Sequence, residues 1–139
     1  MGDYRKLDVW KLACQFSDKV QDLARRLPPE ERKWATEQLV PAARAIHENI
    51  AEGCGLNSDR QLNKFLRQAL GTANECEDEL LTLERRNLLS DADLELLADI
   101  RRICAMLAVF IRRVDESLAG QRPPRRRIAE PIADSRIAE

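Results

Sequence analysis

Apolar side chains recur every three to four residues in four separate stretches of the chain. The stretches run from about Asp8 to Leu27, from Pro29 to Glu52, from Ser58 to near Asn87, and from near Ser90 to Gly120. This spacing is typical of amphipathic helices that bury one stripe of side chains. The pattern therefore predicts four helices and no strands.

Local residues predict where these helices end and where they are disturbed. Pro28 and Pro29 stop the first helix and open the second. Pro41 removes the hydrogen bond to the carbonyl of Glu37, so we expect a kink there. Gly53-Cys54-Gly55 ends the second helix.

The third and fourth helices carry starting signals of the same kind. Ser58 and Gln61 have the spacing of a capping box, and Ser90 and Asp93 resemble it. We expect the buried stripe of the fourth helix to begin at Leu94.

Short connections force neighbouring helices to run antiparallel. The predicted fold is therefore an all-α, antiparallel up-down four-helix bundle over residues 1–120. Residues 121–139 are rich in arginine and proline, and we expect a disordered tail there. Gly71 lies inside the third helix opposite small residues of the second, which suggests a close approach of two backbones.

Composition excludes several classes of protein. The net charge is −1, whereas a dedicated nucleic-acid binder usually carries a basic excess. Aromatic residues make up 4%, which argues against base-stacking platforms. No signal peptide or membrane-spanning stretch is present, so the expected location is cytoplasmic, without a membrane partner.

Metal and catalytic chemistry find little support. The four cysteines lie far apart with no C-x-x-C pair, so we interpret them as free thiols, buried or half-buried. A zinc site or a disulfide built from distant helices stays the alternative. His47 is the only histidine and Arg44 stands where a di-iron bundle needs Glu, so we expect no metal, no cofactor and no enzymatic activity.

Asn49 and Glu52 lie three residues apart and so share one helix face. A half-buried asparagine can fix register through hydrogen bonds. A carboxylate in a last helical turn needs a partner, for which the amides near Ser58 are candidates. We favour a structural lock at these two residues over catalysis.

Positive charge is concentrated in two places. Arg60, Lys64 and Arg67 form one stripe early in the third helix, which turns acidic from Glu75 to Glu79. This order is the reverse of what the helix dipole favours, so phosphate, a neighbouring subunit or solvent must compensate it. The tail adds a basic run that could contact phosphates or stay solvated, comprising Arg122, Arg125, Arg126 and Arg127.

Three segments resemble one bacterial family, the four-helix-bundle proteins encoded in intervening sequences of large-subunit ribosomal RNA genes. Retroelement accessory proteins look similar. The resemblance rests on Leu7-Asp8-Val9-Trp10, on the string Asn49-Ile-Ala-Glu-Gly53, and on Phe65-Leu66 followed by Ala69, Gly71, Thr72 and Glu75. It marks Asn49, Glu52, Gly53 and Gly71 as structural motif residues.

The resemblance implies a ring-like homo-oligomer, a pentamer, and association with nucleic acid, and it implies no established enzymatic activity. The chain departs from the family at Val40-Pro41 and Leu70, where arginines are common. Two hypotheses follow: a homo-oligomeric helical adaptor that presents charged surfaces to RNA, DNA or a protein, and a purely structural interaction module without a nucleic-acid role.

Overall fold

The computed structural model describes residues 2–121 as an all-α bundle, as predicted. Its helices are α1 (Asp8–Arg26), α2 (Pro29–Trp34), α3 (Val40–Gly55), α4 (Asp59–Arg85) and α5 (Glu95–Gln121). A π-helical segment, Ala35–Leu39, joins α2 to α3 without a break, so these two helices form one rod of the four. Short 3-10 turns at Tyr4–Lys6 and Ala92–Leu94 precede α1 and α5.

Each of the four rods packs against two neighbours: α3 against α1 and α4, and α5 against α4 and α1. Side-chain contacts between α4 and α5 run in opposite order along the two helices. Asp59 contacts Ser117, Arg67 contacts Asp115, and Glu77 contacts Arg101. These two helices are therefore antiparallel.

The core lies along the bundle axis and draws side chains from every rod. Its largest members have no exposed surface, as at Phe16, Ile46, Leu66 and Leu107. Burying each such side chain stabilises the fold by roughly 1.5–3 kcal/mol. The apolar stripes read from the sequence supply most of this core.

Pro41 disturbs the second rod where it was expected to, in a different form. It lies in the first turn of α3, directly after the π-helical segment. A proline clashes with the carbonyl four residues earlier in an α-helix, and a wider turn moves that carbonyl away. The local change in helix type therefore accommodates the proline.

Both predicted capping pairs form hydrogen bonds, the first at the start of α4 and the second at the 3-10 turn that precedes α5. The Ser58 hydroxyl accepts a hydrogen bond from the amide of Gln61 at 3.2 Å. Ser90 and Asp93 bond reciprocally, since the Ser90 amide donates to Asp93 Oδ2 at 2.9 Å and the Asp93 amide donates to the Ser90 hydroxyl at 3.3 Å. The stripe prediction at Leu94 is wrong: the 3-10 turn shifts the register, leaving Leu94 39% exposed and burying Leu96.

The cysteine prediction is confirmed, because all four thiols are free. Cys54 and Cys76 are buried, and burial raises the pKa of Cys76 to about 12. Measured against the length and hydropathy that a bilayer crossing demands, every helix within residues 2–121 falls short. The arginine- and proline-rich segment after Gln121 lies outside the described residues.

Candidate interaction surface

One outward face of α4 carries charged residues along its whole length. The face consists of Arg60, Lys64, Arg67, Gly71, Glu75 and Asp78, all of them exposed. At about 100° per residue these positions fall within an arc of about 80°. We call this set the α4 face.

The basic half of the α4 face is only partly neutralised inside the subunit. The Arg67 guanidinium donates to Asp115 Oδ2 and to Asn63 Oδ1, each at 2.8 Å. Arg60 and Lys64 make no ion pair with any residue between 2 and 121. The predicted stripe therefore offers two available cations and one committed to α5.

The acidic half shows the same partial compensation. Arg101 on α5 donates to Glu77 at 3.0 Å, beside the face. Burial, with the nearby charges of Glu75 and Asp78, raises the pKa of Glu79. Glu75 and Asp78 themselves have no ion-pair partner in the part of the chain that the structure describes. Helix α4 thus keeps exposed positive charge near its start and exposed negative charge near its end, against the helix dipole.

The start of α4 lies beside the end of α5. Arg60 lines a polar cleft of about 450 Å³, together with Ser58, Asp59 and Gln121. The side chain of Gln121 donates to Asp59 at 3.3 Å. Gln121, the last described residue, therefore lies near the start of α4, and the run Arg122, Arg125, Arg126 and Arg127, which follows it in the sequence, lies outside the described residues.

The predicted lock at Asn49 and Glu52 is not found within the subunit. Asn49 is half-buried and Glu52 is exposed. Neither side chain hydrogen-bonds to another residue of the range 2–121, and the Ser58 hydroxyl serves Gln61 instead. Both polar groups of the Asn-Ile-Ala-Glu-Gly string therefore face outward with their bonding capacity free for water or a partner.

The close approach of two helices predicted at Gly71 lies at another glycine, Gly53. A Cβ atom added at Gly71 would meet nothing within 4 Å, so the predicted close approach there is wrong. A Cβ atom added at Gly53 would lie 2.9 Å from the Phe65 Cβ and 3.2 Å from the Leu62 Cδ1. The close contact of the α3–α4 hairpin is therefore at Gly53, which the sequence had marked as a helix stop and as a residue of the family motif.

Two sets of polar contacts inside the subunit were not predicted from the sequence. Asp93, 5% exposed, accepts from Arg26 at 2.9 Å as well as from Ser90. Lys19 pairs with Glu95 and, at 2.9 Å, with Asp99. The capping spacing at Asp93 hinted at this carboxylate, but nothing in the sequence marked its pairing with a distant arginine.

A second concave surface is apolar. A groove of about 710 Å³ lies between the start of α1 and the second half of α5, with Leu7, Met106, Val109 and Phe110 among its lining residues. Val109 is 39% exposed. None of the predicted site residues that fall within 2–121 lines this groove.

The remaining chemistry is sparse. Burial lowers the pKa of His47, which is half-buried on α3. Among residues 2–121 no three histidine, cysteine, aspartate or glutamate side chains cluster as metal ligands would. The aromatic Trp10 packs edge-on against Tyr4, with ring centroids 5.3 Å apart.

Comparison with known families agrees with the bundle and its motifs. The fold defines the class first: a small all-α bundle with a charged outward helix. Residues 5–109 match the family model of the 23S rRNA-intervening sequence protein, and the chain belongs to that family. A search of curated proteins found no match.

Proposed function

We propose that this member of the family is a non-enzymatic, homo-oligomeric helical adaptor that works by presenting charged helix surfaces. The observation that carries the proposal is the α4 face, of whose charged residues only Arg67 has an ion-pair partner within residues 2–121. Exposed charge against a helix dipole is unfavourable, so a partner that supplies the opposite charges gains more than usual from binding.

Self-association is the contact that these features support best. Asn49 and Glu52 add outward polar groups on the neighbouring helix, and Trp34 adds a half-buried aromatic ring of the kind that interfaces favour. The family resemblance implies a ring of five subunits. We adopt a homo-oligomer as the proposal, with the pentamer as its specific form.

Nucleic-acid association is the second part of the proposal, and a different observation favours it. Arg60 lines the same cleft as Gln121, and the arginine-rich segment follows Gln121 in the sequence. Phosphate contacts made there would neutralise charge without reading bases. Because the net charge of the chain is −1, binding should be weak, salt-sensitive and indifferent to sequence.

Light scattering of the purified protein tests both parts, with absorbance read at nucleic-acid wavelengths. We expect a mass that is a multiple of the 15.9 kDa chain at micromolar concentration. A monomer would overturn the adaptor proposal.

Titration with labelled RNA and DNA then tests the second part. Affinity should fall steeply as salt rises, by roughly 0.9 log units per phosphate contact for each log unit of salt. Removing residues after Gly120 should weaken binding in proportion to the lost charge. An oligomer that binds neither polymer even at low salt would leave a pure protein-interaction module, and tight binding to one sequence would contradict the proposal.

A further inference from the structure

The α4 face has a charge order that inverts about its centre, Gly71. Residues at equal distances on either side of this glycine carry opposite charges or matched amides. Four residues out lie Arg67 and Glu75, and seven residues out lie Lys64 and Asp78. Three residues out lie the exposed amides of Gln68 and Asn74.

We propose that two copies of this chain pack their α4 helices antiparallel across a two-fold axis at Gly71. The inference rests on the proposed self-association and names one contact between copies within it. Lys64 of one copy faces Asp78 of the other, and Arg67 faces Glu75.

One alignment of the two α4 helices, centred on the two-fold axis, brings all of these oppositely charged residues together. In an antiparallel pair centred on residue 71, a residue a given number of positions before Gly71 meets the residue the same number after it. Seven residues span about 10.5 Å of helix. At a shallow crossing angle of about 20° the two helices stay within side-chain reach over this length. Lys64 and Asp78, which have no ion-pair partner within residues 2–121, each gain one.

This contact explains why position 71 is a glycine, which packing inside the subunit does not explain. A glycine in a helix interior weakens the helix relative to alanine. A Cβ atom at this position would meet nothing within 4 Å, so packing within the chain does not require the glycine. At the crossing point of two helices, the missing side chain lets the backbones approach closely.

The change from positive to negative charge at Gly71 favours a second copy of the chain over other partners. A polyanion along the whole face would be repelled by Glu75 and Asp78, and a cationic peptide would be repelled by Lys64. The matching surface must carry the same charges in reverse order, and the chain itself carries it. Nucleic acid is then confined to the Arg60 end of the helix.

A two-fold contact is self-complementary and closes on itself. It therefore cannot build the ring of five itself, and instead pairs subunits of two such rings, while other surfaces build each ring. Where every subunit is paired in this way, the assembly has ten chains.

Sedimentation equilibrium of the full chain, treated with nuclease and kept at low salt, tests the contact by charge exchange. Lys64→Glu and Asp78→Lys should each weaken this association about tenfold or more, because two like-charged pairs replace two ion pairs. The double variant Lys64→Glu/Asp78→Lys should restore it to near the wild-type value, since the pairs are reformed in reverse. Arg112→Glu, at an exposed position on α5, should change little.

Circular dichroism confirms that each variant keeps its helices, so a loss of mass reports association. Recovery in the double variant supports the two-fold contact. An oligomer that ignores both single changes, or that the double variant fails to restore, overturns the contact and leaves self-association standing. A wild-type monomer overturns both.

Discussion

The α3–α4 hairpin and the α4 face each contain a glycine of the family segments, and the two glycines have opposite surroundings. Gly53 is buried, and an added Cβ atom would collide with Phe65 at 2.9 Å. Gly71 is exposed, and an added Cβ atom would meet nothing. The same residue type therefore serves the interior of the subunit at one site and an outer surface at the other.

Gly53→Val, which alters the packing inside the subunit, should lower the free energy of unfolding more than any other change considered below. Its methyl groups have no space against Phe65 and Leu62, so we expect a loss of about 3 kcal/mol in the free energy of unfolding. Urea unfolding at one fixed protein concentration measures it, since the stability of an oligomer depends on concentration. Gly55→Val is the matched control, because a Cβ atom at Gly55 meets nothing within 4 Å. Equal losses in both variants would contradict the packing role of Gly53.

Asp93→Ala tests a second inward contact and should cost about 2 kcal/mol through the lost cap and the lost bond to Arg26. Burial of Asp93 opposes its charge, but the bonds from Arg26 and Ser90 hold the pKa below its usual 3.8. A lowered folded-state pKa stabilises the fold above pH 3.8, and this contribution is lost as the pH falls through the lower folded-state pKa. The variant should therefore lose less stability than wild type on acidification. Asp91→Ala, at an exposed position, is the control, and identical acid profiles would refute the assignment.

Gly71→Ala, on the outer surface of α4, should raise the free energy of unfolding of the subunit where Gly53→Val lowers it. Alanine favours the helix by about 1 kcal/mol and meets no neighbour within the subunit. We expect higher stability of the subunit in urea, measured at a concentration low enough to minimise association. A destabilised subunit would mean that Gly71 packs within the chain after all.

Asn49→Ala and Glu52→Ala should change the stability of the subunit least, by about 0.5 kcal/mol or less each. Neither side chain bonds to another residue within 2–121, so no interaction inside the subunit is lost. Thermal melts at low concentration measure this. A loss above roughly 1 kcal/mol, twice what is expected for an exposed side chain, would restore the structural lock.

Helical periodicity and capping residues are local properties, and they predicted the four rods, the cap at Ser58 and most of the buried stripes. The burial of Leu94 was predicted wrongly because a 3-10 turn before α5 changes the angular position of the next side chains. The roles of Gly53 and Gly71 escaped because counting outward from a hairpin does not tell which face of each helix turns inward.

The charged surface was predictable only in part for the same reason. The stripe of Arg60, Lys64 and Arg67 follows from spacing along one helix. The commitment of Arg67 to Asp115 joins residues 48 positions apart, so no local pattern reveals it. The inversion of charge about Gly71 was present in the sequence, but it gained meaning only once the structure placed those positions outward.

Oxidation of a Gly71→Cys variant tests most directly whether the α4 face is a contact between copies. A cysteine on a two-fold axis meets its own counterpart, and a disulfide requires two Cα atoms within about 4.4–6.8 Å. Mild oxidation should produce a covalent dimer linked through position 71, assigned by mass spectrometry because Cys14 and Cys104 are partly exposed. Ala98→Cys, exposed on α5, should give no such link. The absence of a 71–71 disulfide in an otherwise oligomeric protein would contradict the account.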